Sequence, residues 1–397
     1  AYEIRLSLVG AEMCIRDRSI NEETKYVLQH FGVEPPEYAE DAGAQVKDIA
    51  FRRTAGVSGH ISLKKAWELM KTENVMTLAV TSASDKLEGL IITGDIAESY
   101  MDVYDNHILS RARTQYKNIV ETLNGTLLAG NEHAYFLRGK VVVATGSRDV
   151  IEECIESDDL VIVGDRDETH ICALEENASC MVVTGGTQVS AQVLEMANRR
   201  DCVVIITPYD TFTAARLINQ SMPIKYFMKK ENFVTFDIDD YVDEVREVMS
   251  KKRHRDFPVL DDQRRYLGMV SRRNLLNMHK KKLILVDHNE KSQAIDGIEG
   301  AEILEIIDHH RLGSLETMSP VFFRNQPLGC TSTIVYQMYC ESGIEIEEKI
   351  AGLLLSAILS DTLMFRSPTC TKADHEAARA LAAIAKVDIV DLSLIHI

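Results

Sequence analysis

The feature that most restricts the fold is a pair of short apolar runs, each followed by residues that can bind a metal. Residues 283–286 (LILV) stop at Asp287, and residues 303–307 (ILEII) precede an acid and two adjacent histidines, the first of them His309. Runs of this length and composition indicate buried β-strands. Two parallel strands would place Asp287 and His309 at one carboxyl edge, where open α/β sheets bind ligands.

A third acid follows a third apolar element. Residues 350–359 have the pattern of a buried helix, which ends near Asp361. A lone acid after a strand is more often a turn or cap residue, and a histidine pair is more often structural. Three such groups after three apolar elements favour a metal site over that alternative. Carboxylates with imidazole suit Mn²⁺, Co²⁺ or Mg²⁺.

The motifs around these residues resemble those of the DHH phosphoesterases. More narrowly, they resemble the family II, manganese-dependent inorganic pyrophosphatases. The resemblance runs in order from about residue 282 to 391 and rests on residues 286–290 (VDHNE), 307–311 (IDHHR), 329–333 (GCTST), 360–362 (SDT) and 367–371 (SPTCT). It implies metal-dependent hydrolysis of pyrophosphate to two phosphates.

The same resemblance implies a role for each site residue. Asp287, His309 and Asp361 correspond to metal ligands, with Mn²⁺ as the expected ion and Co²⁺ or Mg²⁺ as alternatives. His310 corresponds to the residue that contacts the substrate phosphate and helps to protonate the leaving group. Asp308 is expected to orient an imidazole from behind the ligands.

A β-α-β-β-α order occurs twice, at residues 46–115 and 222–281, and both copies resemble CBS modules, which pair in tandem. This implies binding of AMP, ADP or ATP and suggests a homodimer formed through the pair. In that family a hydroxyl and a following acid hold the adenosine ribose. The candidates at these positions are Ser271 with Asn274, where an amide replaces the acid, and Thr93 with Asp95, which stand one residue closer than usual. Helix capping is the alternative role.

A basic run at residues 251–255 (KKRHR) accompanies the second module. Arg253 and Arg255 are candidates for binding nucleotide phosphates. The alternative is a solvated helix end, where cations interact favourably with the helix dipole.

Residues 116–221, between the two modules, alternate strands and helices and resemble a DRTGG domain, with 164–166 (GDR) and 184–186 (TGG) at its fingerprint positions. The glycine pair is interpreted as a tight turn, with a phosphate cradle as the alternative. The order CBS, DRTGG, CBS and DHH resembles the regulated pyrophosphatases. In these the regulatory block is inserted within the catalytic domain, and diadenosine polyphosphates are further ligands.

The predicted fold is therefore α/β, with tandem CBS modules around an α/β DRTGG domain, followed by part of a DHH-type parallel-sheet domain at 282–392. Residues 19–45 resemble the end of an N-terminal catalytic segment with a linker. Residues 1–18 and 393–397 are anomalous ends. The family's N-terminal His and Asp-x-Asp motif is absent from residues 1–48, and its C-terminal DHHA2 lobe would begin beyond 391. From this we expect a fragment that is inactive alone.

Composition excludes several classes. A net charge of −17 argues against non-specific nucleic-acid binding. No apolar run approaches the ~20 residues of a membrane span. The eight cysteines include no CxxC pair, which indicates a reducing, cytoplasmic compartment. The cysteines expected to be buried are Cys154, Cys172, Cys180 and Cys202.

Two other functions stay open at this point. One is a different DHH phosphoesterase acting on oligonucleotides or polyphosphate, against which the inserted regulatory block argues. The other is a nucleotide-sensing module without catalytic activity, which the absent motifs favour.

Overall fold

The computed structural model describes residues 15–16, 19–39, 41–101, 105–146, 148–276, 280–313, 315–317 and 319–393. Of the two ends singled out by sequence, all but residues 15, 16 and 393 lie outside this set. The helices are α1 (Glu22–Phe31), α2 (Leu63–Thr72), α3 (Thr93–Met101), α4 (Ile108–Arg111), α5 (Tyr116–Thr122), α6 (Arg148–Cys154), α7 (Asp167–Glu175), α8 (Ala191–Arg199), α9 (Thr211–Leu217), α10 (Val242–Lys251), α11 (Arg272–Leu276), α12 (Thr331–Ser342), α13 (Glu348–Asp361), α14 (Lys372–Ala385) and α15 (Ile389–Ser393).

The strands follow the same chain order. They are β1 (Ile15–Arg16), β2 (Glu37–Tyr38), β3 (Thr77–Thr81), β4 (Leu87–Ile92), β5 (Thr114–Gln115), β6 (Thr126–Ala129), β7 (Tyr135–Phe136), β8 (Val141–Ala144), β9 (Leu160–Val163), β10 (Cys180–Val183), β11 (Val203–Ile206), β12 (Phe236–Asp237), β13 (Asp256–Leu260), β14 (Tyr266–Ser271), β15 (Lys282–Val286), β16 (Glu302–Asp308) and β17 (Phe322–Asn325).

The chain divides into two compact units. The first comprises Ala1–Ala50, Asp239–Lys251 and Leu275–Ile397, and the second comprises Phe51–Ile238 and Lys252–Asn274. Along the chain, the first unit is thus interrupted twice, and the two interruptions together make up the whole second unit. Helix α10 is grouped with the first unit, where the Val46 amide donates to the Asp240 carbonyl over 2.9 Å and the Val242 amide donates to the Ala44 carbonyl over 2.8 Å.

In the first unit, strands β15, β16 and β17 form a parallel sheet in that order. A hydrophobic core joins Ile307 of β16 to buried residues of α12, α13 and α14. Helix α13 is apolar on most of its surface because it is covered on more than one side. Helix α1 packs on it through Val27, Leu28 and Leu353. A Cβ at Gly352 would lie 2.2 Å from the Phe31 ring, so this contact requires glycine.

In the second unit, the largest sheet has five strands in the order β6-β11-β10-β9-β8. Strands β8 to β11 are parallel and β6 is antiparallel. Successive residues of β9 face opposite sides of the sheet and pack into different hydrophobic cores. Leu160 and Ile162 join the cluster that includes α2, α5 and α9, whereas Val161 and Val163 join the cluster that includes α6, α7 and α8. Both faces of the sheet are therefore buried, as continuous apolar strands predict.

The two flanking modules repeat one arrangement. Strands β3 and β4 pair antiparallel with Thr77 opposite Ile92, and β13 and β14 pair antiparallel with Asp256 opposite Ser271. Residues from both pairs share one apolar cluster, Ala79, Leu90, Leu260, Tyr266 and Met269. The predicted α/β fold class is confirmed.

The buried-cysteine prediction was right for Cys172, Cys180 and Cys202 and wrong for Cys154, which is exposed. Ile151, three residues earlier on α6, takes the inward-facing position instead. Among the described residues, no helix is long and apolar enough to cross a membrane.

Candidate metal centre

Asp287 and Asp308 lie beside one another because strands β15 and β16 end together. Val286 pairs with Ile307, and the Asp287 amide donates to the Ile307 carbonyl over 2.9 Å. Asp287 has a φ of +70°, a left-handed conformation that costs a non-glycine residue roughly 1–2 kcal/mol. The chain therefore turns sharply at Asp287, at the carboxyl edge where parallel sheets bind ligands.

The imidazole of His309 has one nitrogen occupied and one available. Nδ1 lies 2.9 Å from the Leu328 carbonyl oxygen. Because a carbonyl only accepts hydrogen bonds, Nδ1 carries the proton and Nε2 keeps its lone pair. Nε2 lies 3.6 Å from Oδ1 of Asp287. A fixed tautomer of this kind, held by a backbone carbonyl, is typical of metal-binding histidines.

Three side chains offer ligand atoms to one point. Those of Asp287, His309 and His310 lie within 4.8 Å of one another. The two imidazole rings have centroids 4.2 Å apart. One carboxylate with two imidazoles is a donor set for Mn²⁺ or Co²⁺. The residues present therefore fit the predicted metal. His310 lies within the donor group, whereas the sequence indicated a contact with the substrate for it.

Asp308 is fully buried and holds the two histidines. Its Oδ1 accepts hydrogen bonds from the His309 amide at 2.7 Å, the His310 amide at 3.2 Å and His310 Nδ1 at 2.8 Å. The Nδ1 proton of His310 is thereby directed to Asp308, so Nε2 of this half-exposed ring is free for another partner. The orienting role that the resemblance implies for Asp308 requires hydrogen bonds of this kind, and the role itself stays a prediction.

Asn289 is a site residue that sequence reasoning missed. Its amide nitrogen donates to Oδ2 of Asp308 and, over 3.0 Å, to the Arg311 carbonyl. Its amide oxygen accepts from the Gly313 amide. Asn289 is buried, and it fixes the loop after His310. Its place two residues after Asp287, inside the 286–290 motif, was the signal that could have revealed it.

Asp361 ends α13 and stands outside the three-residue donor group. Part of the residue is open to solvent, yet desolvation of its carboxyl group raises the pKa above the usual value. The negative charge of Asp287 raises this pKa further, while the Cys330 thiol and His309 act in the opposite direction. Asp361 is therefore in electrostatic contact with the donor group without joining it.

Thr331 begins α12 and is buried. Its hydroxyl donates to Oδ1 of Asp287 over 2.6 Å. This bond orients the Asp287 carboxylate, and it was not predicted.

In the two modules, Asp95 and Asn274 are structurally equivalent. Oδ2 of Asp95 accepts from the Ile92 amide over 2.9 Å, and Oδ1 of Asn274 accepts from the Ser271 amide over 2.8 Å. The strand registers place Ile92 and Ser271 opposite equivalent residues. Thr93, the expected hydroxyl partner, is therefore displaced by one residue, and an apolar side chain occupies the position of Ser271.

The two cap residues differ in their second contacts. Asp95 is buried, and its Oδ1 lies 3.2 Å from Nζ of Lys229. Asn274 Oδ1 also accepts from the Ser271 hydroxyl over 2.7 Å. Each module therefore keeps one half of the expected pair, the acid in the first and the hydroxyl in the second.

The basic candidates near the second module are exposed. Arg255 Nη1 lies 3.0 Å from Sδ of Met76. Neither Arg253 nor Arg255 forms an ion pair with a residue in the described ranges. Both guanidinium groups therefore remain available to an anionic ligand.

The glycine pair of the central sheet makes a turn. Gly185 and Gly186 have φ of +80° and +67°. Their amides donate to the carbonyls of Tyr209 and Thr207, each over 2.8 Å. Because both donors are used within the chain, the tight-turn interpretation holds and the phosphate-cradle alternative fails.

Comparison with known proteins matches two family models. Residues 118–221 match the DRTGG domain and residues 224–280 match the CBS domain. A cobalt-dependent inorganic pyrophosphatase of Clostridium perfringens is 42% identical over 373 residues, which cover 94% of this chain and 68% of that protein. A probable manganese-dependent inorganic pyrophosphatase of Thermotoga maritima is 37% identical over 374 residues, with the same coverage of 94% and 68%.

One solved structure is also similar to this chain. It contains the CBS and DRTGG domains of the regulatory region of the Clostridium perfringens pyrophosphatase, complexed with its activator diadenosine tetraphosphate. The TM-score is 0.56 at 36% sequence identity, and the match covers 58% of this chain and 100% of that one.

Proposed function

Because this chain belongs to the family II, manganese- or cobalt-dependent inorganic pyrophosphatases with a CBS–DRTGG regulatory region, we propose that it hydrolyses pyrophosphate to two phosphates under control of adenine nucleotides. The observation that carries the proposal is the convergence of Asp287, His309 and His310 within 4.8 Å at the carboxyl edge of β15 and β16.

Asp287 and His309 supply the first metal ligands in this proposal. Nε2 of His309 has the free lone pair, and the Thr331 hydroxyl fixes the Asp287 carboxylate. Asp361 completes the set, because a cation between two carboxylates removes their mutual repulsion. A bound Mn²⁺ or Co²⁺ ion would polarise phosphoryl oxygens and lower the pKa of a coordinated water.

His310 acts on the substrate. Its Nδ1 is held by Asp308, so that Nε2 can donate a proton to a phosphate oxygen or to the departing phosphate. Asp308 balances the positive charge of the protonated ring, and Asn289 holds Asp308 in turn. The three residues thus form one chain from the buried strand end to the substrate.

Regulation is assigned to the second unit. The pyrophosphatase region solved from Clostridium perfringens binds diadenosine tetraphosphate, and we extend adenine-nucleotide binding to this chain. Ser271 and Asn274 would contact the ribose, and Arg253 and Arg255 would contact phosphates. A homodimer formed through the module pair and a cytoplasmic location, for which the free cysteines argue, belong to the same proposal.

The test is release of phosphate from pyrophosphate with Mn²⁺, Co²⁺ or Mg²⁺. It compares this chain with a chimera that carries a family member's His and Asp-x-Asp strand and its C-terminal lobe. Turnover by the chimera that is lost in its His310→Ala variant would support the assignment. A folded, metal-loaded chimera without turnover would refute it.

A further inference from the structure

Three of the four consecutive residues 328–331 contact the proposed ligands His309, Asp361 and Asp287. The Leu328 carbonyl accepts from His309 Nδ1 at 2.9 Å. The buried Cys330 thiol interacts with the Asp361 carboxyl group and lowers the pKa of that group. The Thr331 hydroxyl donates to Asp287 at 2.6 Å. We call residues 328–331 the ligand-support segment.

The ligand-support segment is itself held by one buried carboxylate. Asp374 lies in the first turn of α14 and is fully buried. Its Oδ2 accepts from the Gly329 amide over 2.9 Å, and its Oδ1 accepts from the Thr333 hydroxyl over 2.6 Å. A Cβ at Gly329 would lie 2.8 Å from Oδ2 of Asp374 and 2.8 Å from Cγ2 of Thr362. The fit is therefore close enough to fix the segment's backbone.

The same carboxylate also serves its own helix. Oδ2 of Asp374 accepts from the amide and the hydroxyl of Thr371, each over 2.7 Å, which completes a capping box at the start of α14. Burial alone would raise the pKa of Asp374, but the hydrogen bonds from Thr333 and Thr371 outweigh it and lower the pKa below the usual value. The group is thus an ionised acceptor of four hydrogen bonds at neutral pH.

We propose that Asp374 is a positioning residue for the metal centre. It fixes Gly329 and Thr333, and through the ligand-support segment it sets the orientation of His309, Asp361 and Asp287. This rests on the proposed metal-dependent function, because it assigns the carboxylate a role in holding the ligands of that metal. Capping of α14 is the other role of Asp374, and it involves a different donor.

Two threonines separate these roles experimentally. Thr333 and Thr371 donate hydroxyl protons to the same carboxylate at 2.6 and 2.7 Å. Thr333 lies just after the ligand-support segment, whereas Thr371 belongs to the cap of α14. Valine keeps the shape of threonine and removes the hydroxyl. Thr333→Val therefore loosens the segment, and Thr371→Val is its matched control.

The experiment measures Mn²⁺ binding to the full chain by electron paramagnetic resonance, with the melting temperature of each variant recorded alongside. We expect Thr333→Val to weaken Mn²⁺ binding by roughly tenfold, the lower end of the effect of removing partners behind metal ligands. Thr371→Val should lower the melting temperature and leave Mn²⁺ affinity within about twofold of the unchanged chain, because residues 328–331 keep their contacts.

A second pair of variants uses Asp374 itself. Asp374→Ala should weaken Mn²⁺ binding by about tenfold or more. Asp374→Asn should restore most of the affinity, because its amide oxygen can accept from Gly329 and its amide nitrogen can donate to the Thr333 hydroxyl. If Asp374→Ala does not fold, the threonine pair still decides the outcome.

Equal Mn²⁺ affinity in Thr333→Val and the unchanged chain would overturn the positioning role while leaving the metal centre in place. Equal losses in Thr333→Val and Thr371→Val would also overturn it, since Asp374 would then act only through helix stability. Failure of the unchanged chain to bind Mn²⁺ would refute the proposed metal centre, and the positioning role with it.

Discussion

Thr77 and Asp256 occupy equivalent positions in the two repeated modules, and they hydrogen-bond to each other. Oγ1 of Thr77 donates to Oδ2 of Asp256 over 3.1 Å, where each residue begins the first strand of its module's hairpin. The repeat thus brings the same structural position of both copies together, but with different chemistry on each side. Nη2 of Arg52 lies 3.9 Å from the same carboxylate.

Removing this hydroxyl should destabilise the second unit. Thr77→Val deprives a carboxylate whose side chain is 9% exposed of a donor, and we expect a loss of about 1–2 kcal/mol in the free energy of unfolding. Thr72→Val is the control, because the Thr72 hydroxyl bonds the Glu68 carbonyl on an exposed helix face. Urea unfolding measures both. Similar values for the two variants would contradict the expectation.

Loss of the His309 imidazole should weaken metal binding. His309→Ala removes the nitrogen that faces Asp287, and we expect Mn²⁺ affinity to fall by more than about tenfold. His133→Ala serves as the control, since His133 is an exposed residue of the second unit. Calorimetric titration gives both affinities. Unchanged affinity in His309→Ala would mean that this imidazole is not a ligand.

The displaced register of the first module predicts which hydroxyl binds a nucleotide. Ser271→Ala should weaken AMP binding by several-fold, the effect of losing one hydrogen bond of about 1 kcal/mol. Thr93→Ala should have no effect, because Thr93 is equivalent to Arg272 and not to Ser271. Calorimetry with AMP distinguishes the two. A larger loss in Thr93→Ala would show that the equivalence misleads.

Protonation of Asp374 at acid pH should lower the free energy of unfolding. Its folded-state pKa lies below the ordinary value of 3.8 for an aspartate, so its ionisation stabilises the fold above about pH 4. That contribution is lost as the pH falls through the folded-state pKa. The unchanged chain should therefore lose its stability advantage over Asp374→Asn as the pH falls below about 4 and through the lowered folded-state pKa. Urea unfolding at several pH values measures the difference. A constant difference would argue against an ionised carboxylate.

Buried thiols should resist alkylation. Desolvation raises the pKa of Cys202 to about 12, so its thiolate is scarce at pH 8, and Cys180 is buried beside it. Exposed Cys154 and Cys340 should react first with iodoacetamide. Mass spectrometry of the native protein reports the order. Early modification of Cys202 would indicate local opening of the sheet.

Local sequence patterns predicted the elements that position the candidate metal centre. The apolar runs before Asp287 and His309 are strands, and their shared carboxyl edge follows from the parallel pairing. The contacts of Leu328 and Asp374 were beyond such reasoning. One contact joins residues that are 19 positions apart in the sequence, and the other joins residues that are 45 positions apart. Both depend on how α12 and α14 pack on the sheet, which the hydrophobic periodicity of a single element does not predict.

Two positions depended on the exact register of an element, and of these only the prediction for Cys154 was wrong. Thr93 was aligned by its chemistry, whereas the strand register makes Ile92 the equivalent of Ser271. Cys154 was expected inside because its neighbours are apolar, but the helical period turns Ile151 inward and leaves the thiol exposed. In both cases the position of a residue along its strand or helix differs by one to three residues from the expected position. Strand pairing and helix packing in the folded chain determine that position, and the local sequence does not.

Helix α1 and helix α13 meet although a whole second unit is synthesised between them. Lys349 and Gly32, which hydrogen-bond over 3.1 Å, are 317 positions apart. During synthesis, Val27 and Leu28 leave the ribosome before Leu353 has been made, so their apolar side chains stay exposed to solvent until then. Most of Phe51–Ile238, by contrast, can fold while it is being synthesised. The first unit should therefore be the slow-folding part of the protein and the part that depends most on chaperones during synthesis.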